Sequence, residues 1–330
     1  MDDEGGTTLR DGSHELCVYK CDERGRLNAP SEWRSAPDGI GDTLSRVTRV
    51  DGAETVKFLQ DVLDALFAMF STDDGNSTQH SGHVFQALVS IFSLLEDTKF
   101  EHFKPVMDAY ITGHFAAALV YKGLISCVKH LSDLCPQTEK QEPIMRCFRS
   151  LEYIFKFIIQ SRLLFARATG GQNEDSFRID VDSLFESFAH LLNMHLDNIE
   201  VAQVTLLEHL QGACDQLILV LSPGEVSNHL SNLFNATPVE STKELTRAKL
   251  SAMKNAINSS LFDDDEGREI LLETICTHLR QHVEGRLELR LCGDVLSDII
   301  IIIHKHVKSR SMHRVRWFVF ACLSQASFLS

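Results

Sequence analysis

Long hydrophobic runs are missing from these 330 residues. The run of isoleucine at 299–303 ends at His304 and Lys305. That is far short of the ~20 residues a membrane-spanning helix needs. The opening "MDDEGGTT" is acidic and has no apolar core, so no secretory signal is expected there. Basic charge is also in short supply. Thirty-two Lys and Arg face 46 Asp and Glu, a net charge of −14, which argues against a nucleic-acid partner needing a cationic face. The acidic residues form no long block, the densest run being "DDDE" at 263–266, where a helix is expected to start, so a solvated acidic surface is expected.

Disulfide logic is absent too. The nine cysteines are odd in number and spread along the chain. Cys127, Cys147 and Cys214 fall at apolar helical positions, which suits a reducing cytosol where cysteine behaves as a small hydrophobe. No Gly-x-Ser-x-Gly elbow occurs, and Gly170-Gly171 has neither phosphate-loop spacing nor a preceding strand. No Ser/His/Asp set stands out. Asp61 and Asp64 read as the outer face of an amphipathic helix, not as an acid/base pair.

What is present is helical pattern. Val56, Leu59, Leu63, Leu66 and Phe70 form one apolar stripe behind Asp51-Gly52-Ala53-Glu54, a capping-box arrangement. Ser222-Pro223-Gly224-Glu225 repeats the device with proline at the first helical position. Ser241 and Glu244 give a third box before Leu245, Ala248, Met253 and Ile257. Helices are expected near 53–70, 83–95, 103–114, 118–134, 144–168, 177–196, 201–221, 226–234, 243–261, 268–283 and 287–307. Within the helix expected near 144–168, the 144–165 segment is apolar nearly all round (Phe148, Leu151, Tyr153, Ile154, Phe155, Phe157, Ile158, Leu164), so it needs covering on several sides. Short loops imply antiparallel neighbours. The expected fold is therefore mainly α: a right-handed, armadillo/HEAT-like (TPR-like) helical repeat stack without a strict sequence period.

One stretch departs from this. "TTLRDGSHELCVYK" at 7–20 alternates like a strand and turns on Asp11-Gly12, a hairpin signal. A lone hairpin is marginal in water and helices offer its edges no partner. Its sheet is expected to lie elsewhere, in a longer protein of which this chain is a piece. A polar segment at 22–38, with Pro30 and Pro37, reads as a linker.

Two histidine patterns invite a metal reading. His14, Cys17 and Cys21 lack a fourth zinc ligand, and on a strand His14 points away from the two cysteines. Cys276, His278 and His282 place two histidines at i, i+4, yet no Glu follows His278. They read as histidines at the edge of an apolar face, near a basic side chain. His304 and His306 are weaker candidates. No catalytic, cofactor-binding or metal residue is assigned, and no cofactor is expected.

Several stretches resemble the dedicator-of-cytokinesis family. "TTLRDGSHELCVYKCDE" is similar to the closing strands of its lipid-binding C2-type domain. "VKFLQDVLDALF", "FKPVMDAYITGHFAAALVYKGLI", "LEYIFKFIIQSRLLF" and "REILL" are similar to the helical region that follows. The wording is nearest to its Rac-activating neuronal and developmental subfamily. The resemblance implies the following boundaries: C2-type strands at 1–21, a linker at 22–38, an armadillo-like helical region at 39–308, and an unmatched tail at 309–330. In the tail, Lys308, Arg310, Arg314 and Arg316 precede an apolar "WFVFACL". That pattern suits either an anionic membrane surface or a foreign end.

The resemblance further implies a cytoplasmic guanine-nucleotide exchange factor for Rac, with Rap as an alternative GTPase. The family's other modules bind an ELMO adaptor and a phosphoinositide membrane. This chain would be the non-catalytic helical scaffold, lacking the exchange domain. The alternative is a stand-alone helical module binding a peptide or protein partner. A zinc enzyme is the third reading.

Overall fold

A computed structural model describes Leu44 and residues 58–70, 77–137, 141–171 and 174–305. Among these residues there are twelve α-helices and no β-strand. They are α1 Leu59–Phe70, α2 Ser81–Leu94, α3 Lys104–Gly113, α4 Val120–Leu134, α5 Glu142–Arg149 and α6 Leu151–Thr169. They continue as α7 Glu174–Asn193, α8 Glu200–Leu217, α9 Pro223–Ala236, α10 Lys243–Ile257, α11 Asp265–Glu284 and α12 Leu289–Lys305. None of the described helices is long and apolar enough to cross a membrane. The expected hairpin, the linker, the capping box at 51–54 and the tail lie outside the described residues.

Local chemistry sets the helix starts. Ser222 has extended backbone and its Oγ accepts from Glu225 N at 3.2 Å, while Ser222 N donates back to Glu225 Oε2 at 2.8 Å. That is the complete capping box the sequence promised, with Pro223 inside it. At α10 the cap is Thr242, whose Oγ1 accepts from Leu245 N at 3.2 Å. The expected box on Ser241 is one residue out of register. Ser241 Oγ instead meets Thr246 Oγ1 at 3.1 Å. Asp264 caps α11 through Gly267 N at 2.9 Å, so the acidic run at 263–266 is a helix start.

The segment expected as one helix over 144–168 is two. Ser150 sits at φ −90°, ψ 9°, and its N–H is shared between Arg146 O and Cys147 O at 3.1 Å each. This tightened turn ends α5 before α6 begins. The apolar pattern continues unbroken across it (Phe148, Leu151, Tyr153 and Ile154 are all buried), which hides the break from periodicity.

The chain divides into two compact units. The first draws its described residues from within Met1–Cys127 and Gln160–Gln172. There α1 packs on α2, and Phe67 meets Phe115 edge-on at 4.9 Å. Ser81 Oγ donates to Phe70 O at 2.6 Å, fastening the start of α2 to the end of α1. The second unit draws on Val128–Ile159 and Asn173–Ser330. Its most extensive contacts join next-but-one helices, α7 to α9 to α11 in one row and α8 to α10 to α12 in another, with α5 joining the second row at α8. Two rows of alternating helices are the packing of a repeat stack, each helix covering its neighbours' apolar sides. Phe148, Phe155, Phe157, Phe188 and Phe234 are fully buried, and each such burial contributes roughly 1.5–3 kcal/mol.

Candidate functional site

The sequence placed a lysine on an apolar stripe. Thr242 fixes the start of α10, so Leu245, Lys249 and Met253 follow at i, i+4 and i+8 and share one face. That face is buried, and Lys249 is 0 % exposed. Its neighbours come from both other helices of the seam. At the end of α9, Thr237 turns to extended backbone and its carbonyl accepts from Lys249 Nζ at 2.6 Å. On α11, His278 Nδ1 lies 3.2 Å from Lys249 Nζ, and His278 Nε2 lies 3.0 Å from Asn235 Oδ1 of α9.

With Asn235 Oδ1 as acceptor, His278 carries its proton on Nε2 and offers the Nδ1 lone pair to the amine. One turn back, Ser231 and Thr274 share a hydrogen bond at 2.6 Å. The pairs 231/274 and 235/278 advance in step, so α9 and α11 run in the same direction along this seam. One turn on, His282 is 0 % exposed. Neither of its ring nitrogens has a hydrogen-bond partner among the described residues.

Removal from water disfavours the charged form of each group. Burial pushes the Lys249 amine down to about 7. Burial, then Lys249 and His282, push His278 down to about 3. Burial, then Lys249, push His282 down to about 4. The cluster can hold or take up protons, but it is closed to a substrate.

This corrects the placing of His278 and His282 at the edge of an apolar face: they lie inside, facing Lys249. Both nitrogens of His278 are already engaged. Among the described residues no group of three or more His, Cys, Asp and Glu is arranged to hold a metal ion. His304 is exposed. His306 and the His14, Cys17, Cys21 set lie outside the described residues.

Other candidates resolve into local structure. Gly170 and Gly171 have φ of 66° and 86°, and Gly171 N donates to Ala166 O at 2.9 Å. This is a left-handed helix C-cap closing α6, not a phosphate cradle. Asp64 accepts from Tyr110 Oη at 2.7 Å and holds the phenol proton in place, with burial the larger cause of the raised Tyr110 value. Burial raises the Cys127 thiol to about 12 and Cys135 and Cys292 each to about 11, leaving them protonated and unreactive. The buried Lys249 was missed by sequence reasoning. Its signal was a cation spaced i+4 between Leu245 and Met253.

A family model described as "Dedicator of cytokinesis (DOCK) TPR region" matches residues 36–326. The chain belongs to the dedicator-of-cytokinesis family. The match runs past Lys308, where the sequence resemblance was expected to stop. Dedicator of cytokinesis protein 3 of Mus musculus is 35% identical over 357 residues, covering 91% of this chain and 18% of that protein. Dedicator of cytokinesis protein 4 of Homo sapiens is 33% identical over 362 residues, covering 94% of this chain and 18% of that protein. The chain thus spans about a fifth of the length of these dedicator relatives.

Proposed function

We propose that this chain is a non-catalytic scaffold segment of a dedicator-type guanine-nucleotide exchange factor for Rac-type small GTPases. The observation that carries this reading is 33–35% identity over more than nine-tenths of the chain to dedicators of cytokinesis. The two-row helical packing supports it, because a repeat stack is a spacer whose length is set by helix count. In the whole protein the stack would hold the exchange module at a set distance from modules that bind an ELMO adaptor and a phosphoinositide membrane. The parent protein would be cytoplasmic and recruited to that membrane.

The test is release of a fluorescent guanine nucleotide from Rac in the presence of the 330-residue chain. The expected rate is the intrinsic one. Acceleration by this chain would refute the non-catalytic assignment.

A further inference from the structure

Lys249 is a base in a setting that suits only its uncharged form. A neutral amine has two N–H donors, and two acceptors face it: the Thr237 carbonyl at 2.6 Å and His278 Nδ1 at 3.2 Å. A protonated amine would bring a third donor and a full charge to the same place. Among the described residues no carboxylate hydrogen-bonds or pairs with Lys249, His278 or His282. The titratable groups facing one another here are Lys249 from α10 and His278 and His282 from α11. From α9 come only the neutral Asn235 side chain and the Thr237 carbonyl. Among the described residues, three bases are thus packed together with no counter-charge in contact, and a buried charge left uncompensated is costly.

The same atoms hold the seam closed. Lys249 ties α10 to the end of α9, and His278 ties α11 both to Lys249 and to Asn235. Just beyond His282 the chain leaves α11 through a turn in which Arg286 and Glu288 have φ of 55° and 46°, a left-handed conformation that costs free energy in residues with a side chain. Glu288 is held there by Arg247 of α10 at 3.0 Å. The closed seam therefore combines strained backbone with three buried bases.

We infer that the Lys249–His278–His282 cluster is an acid-operated release for the α9–α10–α11 seam, in which proton uptake by these bases favours an open arrangement that returns them to water. The direction follows from linkage. A base whose value is depressed in the closed form stabilises it fully only above its ordinary value, and that stability is lost as pH falls toward the depressed one. For Lys249 the window runs from 10.5 down to about 7. For His278 and His282 it runs from 6.5 down to about 3 and about 4. Opening therefore becomes easier as pH falls from 10.5 to about 7 from the lysine, and again below 6.5 from the histidines.

The experiment is native-state hydrogen exchange on the full chain between pH 6 and 9, corrected for intrinsic rates and read on α10 and α11 amides. The expected opening constant rises about tenfold for each pH unit of acidification from 9 toward 7, one proton's worth of linkage. In Lys249→Gln, which keeps two N–H donors and cannot titrate in this range, that slope should vanish. A wild-type constant that does not change between pH 7 and 9, or the same slope in Lys249→Gln, would overturn the inference. Should Lys249→Gln fail to fold, 13C titration of labelled lysines in the wild-type chain decides. One lysine titrating near neutrality supports the inference, and all of them titrating together above pH 10 defeats it.

Discussion

Gly267 and Gly293 predict opposite outcomes for the same substitution. Gly267 lies in the first turn of α11, and a Cβ there would sit 2.7 Å from Leu261 O and 2.9 Å from Ser227 Oγ. The first is backbone of a short helical turn and cannot swing aside. Gly293 lies inside α12 with nothing within 4 Å of the same atom. Alanine in place of glycine favours a helix by up to about 1 kcal/mol, and forcing a methyl group into a packed site costs about 1–3 kcal/mol. Gly293→Ala should therefore gain about 0.5–1 kcal/mol. Gly267→Ala should lose about 1–2 kcal/mol, because the clash outweighs the propensity gain. Both residues belong to the second unit, so one urea transition monitored by circular dichroism reads both. With a slope of ~1–3 kcal/mol/M the two midpoints should move apart by about 1 M. If Gly267→Ala were neutral or stabilising, the close approach of α11 to the turn at 260–262 would be wrong.

Ser222→Ala removes one half of a capping box and should cost about 1 kcal/mol by the same urea assay. Its partner Glu225 is held below the usual carboxylate range by the Ser222 backbone bond first and by Arg178 as well. That contribution is present above the ordinary carboxylate value and is lost as pH falls through the lowered one, so stability should fall in acid both in the wild-type chain and in Ser222→Ala, which keeps the backbone bond and the Arg178 pair. Phe188→Ala empties a site where Phe148 and Phe185 rings lie 6.0 and 5.7 Å away, edge to face. It should lose about 3–5 kcal/mol in the same transition. Chelator treatment should leave the melting temperature unchanged, since His278 spends both ring nitrogens on Lys249 and Asn235. A fall of several degrees would restore the zinc reading.

Helix positions were legible wherever chemistry is local. Ser222 to Glu225 marked the start of α9, and the acidic run at 263–266 marked that of α11. The break at Ser150 was not legible, because apolar residues continue on both sides and only the shared N–H reveals the turn. Nor could spacing show that α9 packs on α11 and α8 on α10, since next-but-one contacts depend on how each loop aims the following helix. Lys249 was readable in principle. A lysine between Leu245 and Met253 either snorkels or is buried, and only the carbonyl of Thr237 and the ring of His278 decide between them.

The most direct test of the scaffold assignment is a chimaera. The matching segment of human Dedicator of cytokinesis protein 4 would be replaced by residues 36–326 of this chain, and nucleotide release from Rac measured against the parent. A folded chimaera that retains the parent's exchange rate is the predicted result. A folded chimaera that has lost exchange would contradict a conserved supporting role for this helical stack.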